Sequence, residues 1–161
     1  MKIGSPATGV IALLPFLAAA AATAFIAGRF RPGAWYAALA KPSWTPPGWL
    51  FAPVWSVLYL AIGVAGWLVW RAGGRGAVVP LAIWLAQLAA NAAWSWLFFG
   101  RHRPAAALAD IAALLVLILA FIVAARPWSR GAAWLFVPYA AWVLFAASLN
   151  AAIVRLNPSA S

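Results

Sequence analysis

The sequence has very few groups that could support acid–base, thiol or metal chemistry. It contains no cysteine, one histidine and one acidic residue, Asp110, among its 161 residues. The absence of cysteine excludes disulfides, thiol catalysis and cysteine-ligated metals. With a single carboxylate and a single imidazole, the chain also has almost no groups for acid–base catalysis or metal binding. We therefore expect no metal site and no required cofactor.

Charged residues are also scarce. Only 7% of the residues are charged, 68% are hydrophobic, and the mean hydropathy is +0.98. A soluble domain carries roughly a quarter charged residues. Because so little polar surface is present to cover a water-exposed globule, the composition predicts an integral membrane protein embedded in a lipid bilayer.

The formal net charge of +10 does not indicate a nucleic-acid partner. The eleven Lys and Arg residues occur in ones and twos between apolar runs, as topology-setting and interfacial charges do. No basic stripe or recognition motif is present, so we expect no nucleic-acid binding. Five of these residues fall on one side of the predicted membrane and six on the other, so the positive-inside rule leaves the orientation open.

Apolar runs of about twenty residues predict membrane-spanning helices rather than strands, because they lack period-two alternation. The predicted spans are residues 10–27, 51–70, 78–99, 105–125 and 132–155. We expect one all-α domain over residues 1–161, a five-helix transmembrane bundle in which consecutive helices are antiparallel neighbours. A long loop separates the first two helices. The first run, which follows Lys2, could also be a cleavable signal sequence, but its length favours a retained helix.

The long loop and the start of the second span form the most distinctive stretch, from Trp35 to Tyr59. It holds four of the twelve tryptophans and several prolines. Proline fixes φ and lacks an amide hydrogen, so residues 41–47 cannot form a regular helix. A loop this rich in aromatic rings belongs at a membrane surface or over the mouth of a pocket.

Three spans carry stripes that combine aromatic rings with single hydrogen-bonding groups. Such stripes suit a flat, mostly apolar ligand with a few polar edges. The alternative is that the rings pack the bundle and their polar atoms bond one another across helices. The stripes consist of Trp55 and Tyr59; of Gln87, Asn91, Trp94 and Phe98; and of Tyr139, Trp142, Ala146, Leu149 and Asn150.

Asp110 and His102 are expected to have different roles. Asp110 lies one to two turns into the fourth span, where a carboxylate is either functional or neutral and hydrogen-bonded to a tyrosine hydroxyl or an indole. With no second acid, a proton relay cannot be built, which argues against a proton-coupled pump. His102 lies between two arginines and is expected at the membrane interface rather than on iron.

Several motifs together resemble one family. The loop carries Trp35-Tyr36 and then Lys41-Pro42-Ser43-Trp44-Thr45-Pro46-Pro47, followed by Trp55. The third span carries Asn91-Ala92-Ala93-Trp94, and the fifth carries Val137-Pro138-Tyr139-Ala140-Ala141-Trp142. In order and spacing these resemble the TspO family, the bacterial tryptophan-rich sensory proteins and the mitochondrial translocator protein or peripheral benzodiazepine receptor. The resemblance covers essentially the whole chain.

The resemblance implies a five-helix bundle in a bacterial membrane, with the first loop lidding a pocket. Family pockets bind porphyrins such as protoporphyrin IX and haem, benzodiazepine-site drugs and, in animal members, cholesterol. The implied function is a receptor or sensor for tetrapyrroles and hydrophobic ligands. The alternatives are a light-dependent porphyrin-degrading enzyme, with Trp55 and Trp142 as its reacting residues, and a carrier of porphyrins or hydrophobic solutes. The implied ligand-binding residues are Tyr36, Pro46, Trp55, Tyr59, Asn91, Trp94, Asp110, Trp142, Ala146 and Leu149.

The remaining expectations concern sterols and self-association. Ala92 stands where some members carry a polar residue, which leaves fewer hydrogen bonds for a ligand. Ala151 stands where animal members place the tyrosine of a sterol motif, so we expect weak or no cholesterol binding. Small residues recur every four positions on the third span and would let two helices approach closely. Since the family dimerises through this helix, we expect a homodimer through Ala82, Ala86 and Ala90.

Overall fold

The computed structural model describes residues 11–160, and within that range the chain is helical and contains no strand. Five helices are long and one, α2, is a short helix inside the first loop. The prediction of an all-α, five-helix fold is therefore confirmed. The helices are α1 Leu14–Gly28, α2 Ala34–Ala38, α3 Phe51–Gly73, α4 Val78–Ser95, α5 Pro104–Ala125 and α6 Arg130–Leu156. A π-helical turn, Trp96–Gly100, extends α4, and 3₁₀ turns occupy Gly48–Leu50, Gly74–Ala77 and Pro158–Ala160.

The helices are long and apolar enough for the chain to cross a membrane several times. The segment Gly48–Gly100, which contains α3 and α4, meets this criterion, as do α5 and α6, while α1 is a shorter apolar helix. The bounds of α3, α5 and α6 lie within three residues of those expected, whereas α4 ends at Ser95 against residue 99, and the π-helical turn Trp96–Gly100 covers the remainder of that span. The predicted first span starts at residue 10, which lies outside the described residues, as does Lys2. The chain is a multi-pass integral membrane protein.

The five long helices form a ring in which each has two principal neighbours. α1 packs on α3 and α4, α6 packs on α3 and α5, and α4 packs on α5. The expectation that all consecutive helices are neighbours is therefore only partly right. α3 and α4 contact each other less extensively than each contacts α1, so α1 lies between them in the ring.

Two glycines of α3 make this arrangement sterically possible. A Cβ atom at Gly63 would lie 2.8 Å from Leu17 Cδ2 of α1, and one at Gly66 would lie 2.6 Å from Trp84 Cε2 of α4. The Trp84 indole donates a hydrogen bond of 2.9 Å to the Ile62 carbonyl oxygen. Because glycine lacks a side chain, the α3 backbone itself is the surface on which the neighbouring helices pack.

The connections group at the two ends of the bundle. At one end the Trp128 ring packs against Gly73 and Gly76, and the Ser129 hydroxyl caps α6 by accepting a hydrogen bond from Ala132 N. At the opposite end the ring of Phe30 packs on Gly100. This second end also carries the long loop, residues 29–50, which we call the lid.

The outer face of α4 holds the small residues expected at a dimer seam. Ala82 and Ala86 are exposed, and Ala90 is half-buried. A second chain could reach this face, and the homodimer stays a prediction.

The close packing at Gly66 gives a stability prediction. Gly66→Ala should lower the free energy of unfolding by about 1–3 kcal/mol relative to Gly28→Ala, because overpacking typically has this effect. Gly28 is the last residue of α1, and a Cβ there meets no atom within 4 Å. Thermal unfolding in detergent measures the difference. Equal midpoints for the two variants would contradict the argument.

Candidate functional site

A cavity of about 620 Å³ lies between the helices at the lid end and is lined by residues of all five long helices and of the lid. This volume falls in the range of small-molecule sites, roughly 300–1,000 Å³. The cavity brings together nine of the ten residues implied by the resemblance. These are Tyr36, Pro46, Trp55, Tyr59, Asn91, Trp94, Trp142, Ala146 and Leu149.

The remaining residue, Asp110, does not line this cavity. It is half-buried on α5, and its Oδ2 atom is buried without a hydrogen-bond partner in the described part of the chain. Asp110 therefore stands apart from the other predicted site residues. The sequence did not reveal this, because the position of a residue along α5 does not tell which neighbouring helix its side chain meets.

The lid is fastened to the end of α6. The backbone N–H of Ala40 donates to Asn157 Oδ1 at 2.9 Å, and Asn157 Nδ2 donates to the Ala40 carbonyl oxygen at 2.9 Å. The Lys41 ammonium donates to the carbonyl oxygens of Ala37 and Leu39 at the end of α2. These bonds satisfy backbone groups that prolines and a short helix would otherwise leave unpaired. The lid is thus an ordered cover.

Tyr36 connects the lid to the aromatic wall of the cavity. Its ring meets Phe99 edge-on with 5.4 Å between ring centroids, and the Lys41 ammonium lies 4.7 Å from its centroid. Burial raises the pKa of the Tyr36 hydroxyl above its ordinary value. The hydroxyl therefore stays neutral at physiological pH and can donate or accept a hydrogen bond.

A chain of hydrogen bonds crosses three helices beneath the cavity. Tyr59 OH donates to Asn91 Oδ1 at 2.6 Å, and Asn91 Nδ2 donates to Tyr139 OH at 2.8 Å. Tyr139 OH donates in turn to Gln87 Oε1 at 3.0 Å, and Gln87 Nε2 donates to the Trp84 carbonyl oxygen. For these residues the alternative considered from the sequence holds, since their polar atoms bond one another across helices. Tyr59 and Asn91 also line the cavity, so they serve both purposes.

A second polar contact holds the Trp94 ring. Its indole donates to Asn150 Oδ1 at 3.1 Å, and Asn150 Nδ2 donates to the Pro104 carbonyl oxygen at 2.9 Å. The ring stacks on Phe98 with 5.2 Å between centroids. Trp94 is therefore a rigid wall of the cavity, connected to α5 and α6.

Trp142 is held differently. Its ring lies between those of Phe51 and Phe145, each at 5.7 Å between centroids. Its indole nitrogen is buried and has no hydrogen-bond partner within residues 11–160. A buried donor without a partner is unfavourable by about 1–3 kcal/mol. If the Trp142 ring shifts so that this nitrogen faces the cavity, a ligand oxygen or nitrogen that accepts its hydrogen bond gains affinity.

Two basic residues at the cavity were missing from the predicted set. Among residues 11–160, Arg31 and Lys41 are the only charged side chains in the lining, and neither an acid nor a histidine of that range accompanies them there. Their position in the apolar loop was a usable signal, because isolated cations in such a segment need a partner. His102 is exposed, has a positive φ of 54° and stacks on Trp35 at 4.3 Å, away from the cavity lining.

The hydrogen-bond chain gives the second prediction. Tyr139→Phe leaves Asn91 Nδ2 and Gln87 Oε1 unpaired in the core and should lower the free energy of unfolding by about 1–3 kcal/mol. Tyr59→Phe should have a smaller effect, because Asn91 lines the cavity, where another hydrogen-bond donor can replace the Tyr59 hydroxyl at Asn91 Oδ1. Thermal unfolding of both variants in detergent makes the comparison. A larger loss for Tyr59→Phe would overturn the ranking.

Comparison with known proteins agrees with the motifs of the lid and of α3, α4 and α6. The model of the TspO/MBR family matches residues 11–156. A translocator protein of Ovis aries is 42% identical over 149 residues, which cover 90% of this chain and 86% of the relative. A tryptophan-rich protein TspO of Archaeoglobus fulgidus is 43% identical over 123 residues, 76% of this chain and 80% of the relative. A tryptophan-rich sensory protein of Cereibacter sphaeroides is 40% identical over 149 residues, 89% and 90% of the two chains. The resemblance read from the motifs is confirmed, and the chain belongs to the TspO/MBR family.

Proposed function

We propose that this protein is a membrane receptor for flat, largely apolar ligands that carry an anionic edge, with tetrapyrroles such as protoporphyrin IX and haem as its ligands. The observation that carries the proposal is the cavity itself, whose walls are aromatic and whose charged residues, in the part of the chain that the structure describes, are both positive. Drugs of the benzodiazepine site would compete for the same space. Sterols, for which Ala151 replaces the motif tyrosine, would bind weakly or not at all.

The aromatic walls support a planar ligand. Trp55, Trp94 and Trp142 come from three different helices and all line the cavity. Indole faces offer large apolar area at a small loss of side-chain entropy, and they favour stacked or edge-on contact with another ring system. The ligand plane would lie against these three rings, with Asn91 and the unpaired Trp142 N–H meeting its polar edges.

The charges support an acidic ligand edge directed to the lid. Lys41 already donates to two backbone carbonyl oxygens, whereas Arg31 is exposed at the mouth, and its Nε donates to the Gly28 carbonyl oxygen. The other guanidinium nitrogens are the suitable partners for a carboxylate, since this pairing can be bidentate. A porphyrin would thus be bound with its ring inward and its propionates toward Arg31.

Titration with protoporphyrin IX in detergent tests the proposal. We expect saturable quenching of tryptophan fluorescence, weakened about three- to tenfold by Trp142→Phe, which removes one ligand hydrogen bond worth roughly 0.5–1.5 kcal/mol. Trp134→Phe is the control, because Trp134 is 71% exposed on α6 and does not line the cavity. If the protein is folded but its fluorescence shows no saturable quenching, the receptor proposal is wrong.

The same titration under light addresses the second candidate function, photochemical degradation of porphyrin. Its supporting observation is that Trp55 and Trp142 both line the cavity, within reach of one ligand. Light-driven loss of the porphyrin absorption bands would favour an enzyme, unless the loss persists after both residues are replaced by Phe. Porphyrin flux into sealed vesicles would instead favour a carrier.

The role of Arg31 gives a separate prediction. Arg31→Gln should weaken binding of protoporphyrin IX about two- to fivefold, as expected for an exposed ion pair of roughly 0.2–1 kcal/mol. Binding of the dimethyl ester, which has no carboxylate, should not change. Arg29→Gln is the matched control, since Arg29 lies outside the cavity lining beside Phe25. Equal loss for acid and ester would show that Arg31 does not recognise charge.

A further inference from the structure

A groove runs along the membrane-facing surface between α3 and α6, on the outside of the bundle. Its walls are apolar or aromatic throughout, and they include Val54 and Val57 of α3 and Ala141 and Phe145 of α6. Val57 is 66% exposed, and Ala141 is exposed as well. Because both helices belong to the membrane-spanning part of the chain, this groove faces lipid.

Trp142 is the residue that the groove shares with the internal cavity. One neighbour of its ring, Phe51, lines the cavity, and the other, Phe145, lines the groove. The wall between the two spaces is therefore one indole side chain thick at this point. A change of the Trp142 rotamer would join them.

The Trp142 ring is also held without a polar contact within residues 11–160, unlike the Trp94 ring of the cavity wall. Trp84 and Trp94 each donate their indole N–H to a fixed oxygen, whereas the Trp142 N–H is buried without a partner within residues 11–160. Pro138 lies four residues earlier and has no amide hydrogen, so one backbone hydrogen bond of α6 is missing next to this turn. Moving the Trp142 ring breaks no polar contact.

At the end of the bundle the cavity is covered by the lid. Asn157 holds Ala40 through two hydrogen bonds, and the ring of Trp44 packs edge-on against Phe145 at 5.8 Å. A flat apolar ligand is concentrated in the bilayer by the hydrophobic effect and is scarce in the water above the lid. The membrane side is therefore where such a ligand meets the protein.

We propose that the groove between α3 and α6 is the docking site for a ligand dissolved in the bilayer, and that the Trp142 side chain is the gate through which this ligand enters the cavity. The occupant is a flat apolar molecule of the class that the cavity takes, so the inference rests on the proposed function. Trp142 thereby acts on the route of entry in addition to forming the cavity wall.

Filling the groove should slow entry without changing the bound state. Ala141→Phe places a ring in the groove, at a residue that does not line the cavity. Leu144→Phe is the matched control, because Leu144 is 59% exposed on the same helix and lies outside the groove. Val57→Phe obstructs the groove from α3 and serves if Ala141→Phe does not fold.

Stopped-flow quenching with protoporphyrin IX, on protein in lipid nanodiscs, gives the rates of association and dissociation. We expect both rates to fall about tenfold in the groove variants, a change within the range seen among variants of one site, with Kd and the control unchanged. A blocked path slows both directions equally, since it leaves the free and bound states as they were.

Two outcomes would overturn the inference. One is an unchanged association rate in both groove variants. If association is also faster in Asn157→Ala, which removes the bonds that hold the lid, the ligand enters under the lid. The other is a weaker Kd with an unchanged association rate, which would make the groove part of the binding site rather than its entrance. Absence of saturable binding in the wild-type protein would overturn the proposed function and this inference together, which distinguishes it from the first two outcomes.

Discussion

The buried chain of hydrogen bonds from Tyr59 through Asn91 and Tyr139 to Gln87 is the constraint on which the site depends. In a membrane, unpaired polar groups are costly, so α3, α4 and α6 can pack only in the register that completes this chain. The apolar contacts between these helices are far less directional. The same register directs Trp55 and Trp94 into the cavity. The hydrogen-bonded side chains lie beneath it, and we call them its polar floor.

The positions of the charged residues make the two ends of the cavity different. Its floor is hydrogen-bonded within the protein, its walls are aromatic, and its two cations lie in or beside the lid. A ligand with one apolar end and one acidic end can satisfy this arrangement in a single orientation. The scarcity of acids in the sequence, a single Asp that does not line the cavity, keeps that direction free of competing charge.

Much of this architecture could be predicted from the sequence, because spans and breaks have strong local signals. Apolar runs and turn residues predict the five long helices, and the stripe on α4 correctly brings Asn91 and Trp94 to the cavity. The ring order of the helices could not be predicted, since α1 lies between α3 and α4 only by virtue of the close approach at Gly63 and Gly66. Two glycines in a helix have no distinctive signal when twelve occur in the chain.

The same limit explains the residues that were misplaced or missed. Asp110 belongs to the expected ligand-binding residues through the family resemblance alone, and it does not line the cavity. Its place along α5 does not tell which neighbouring helix its side chain meets. Arg31 and Lys41 were read only as interfacial charges, because their approach to the cavity follows from the path of the lid. Non-local contacts of this kind are set by packing rather than by any local pattern.

Helix α6 links parts of the molecule that act at different depths of the membrane. Tyr139 joins it to the polar floor, Asn150 to the Trp94 wall, and Asn157 to the lid, while Trp142 lies between the cavity and the lipid. Pro138, which lacks an amide hydrogen, precedes all four of these residues in the chain. A single helix therefore connects the polar floor, the aromatic wall, the lid and the lipid-facing surface, so a substitution that shifts α6 would affect all four at once.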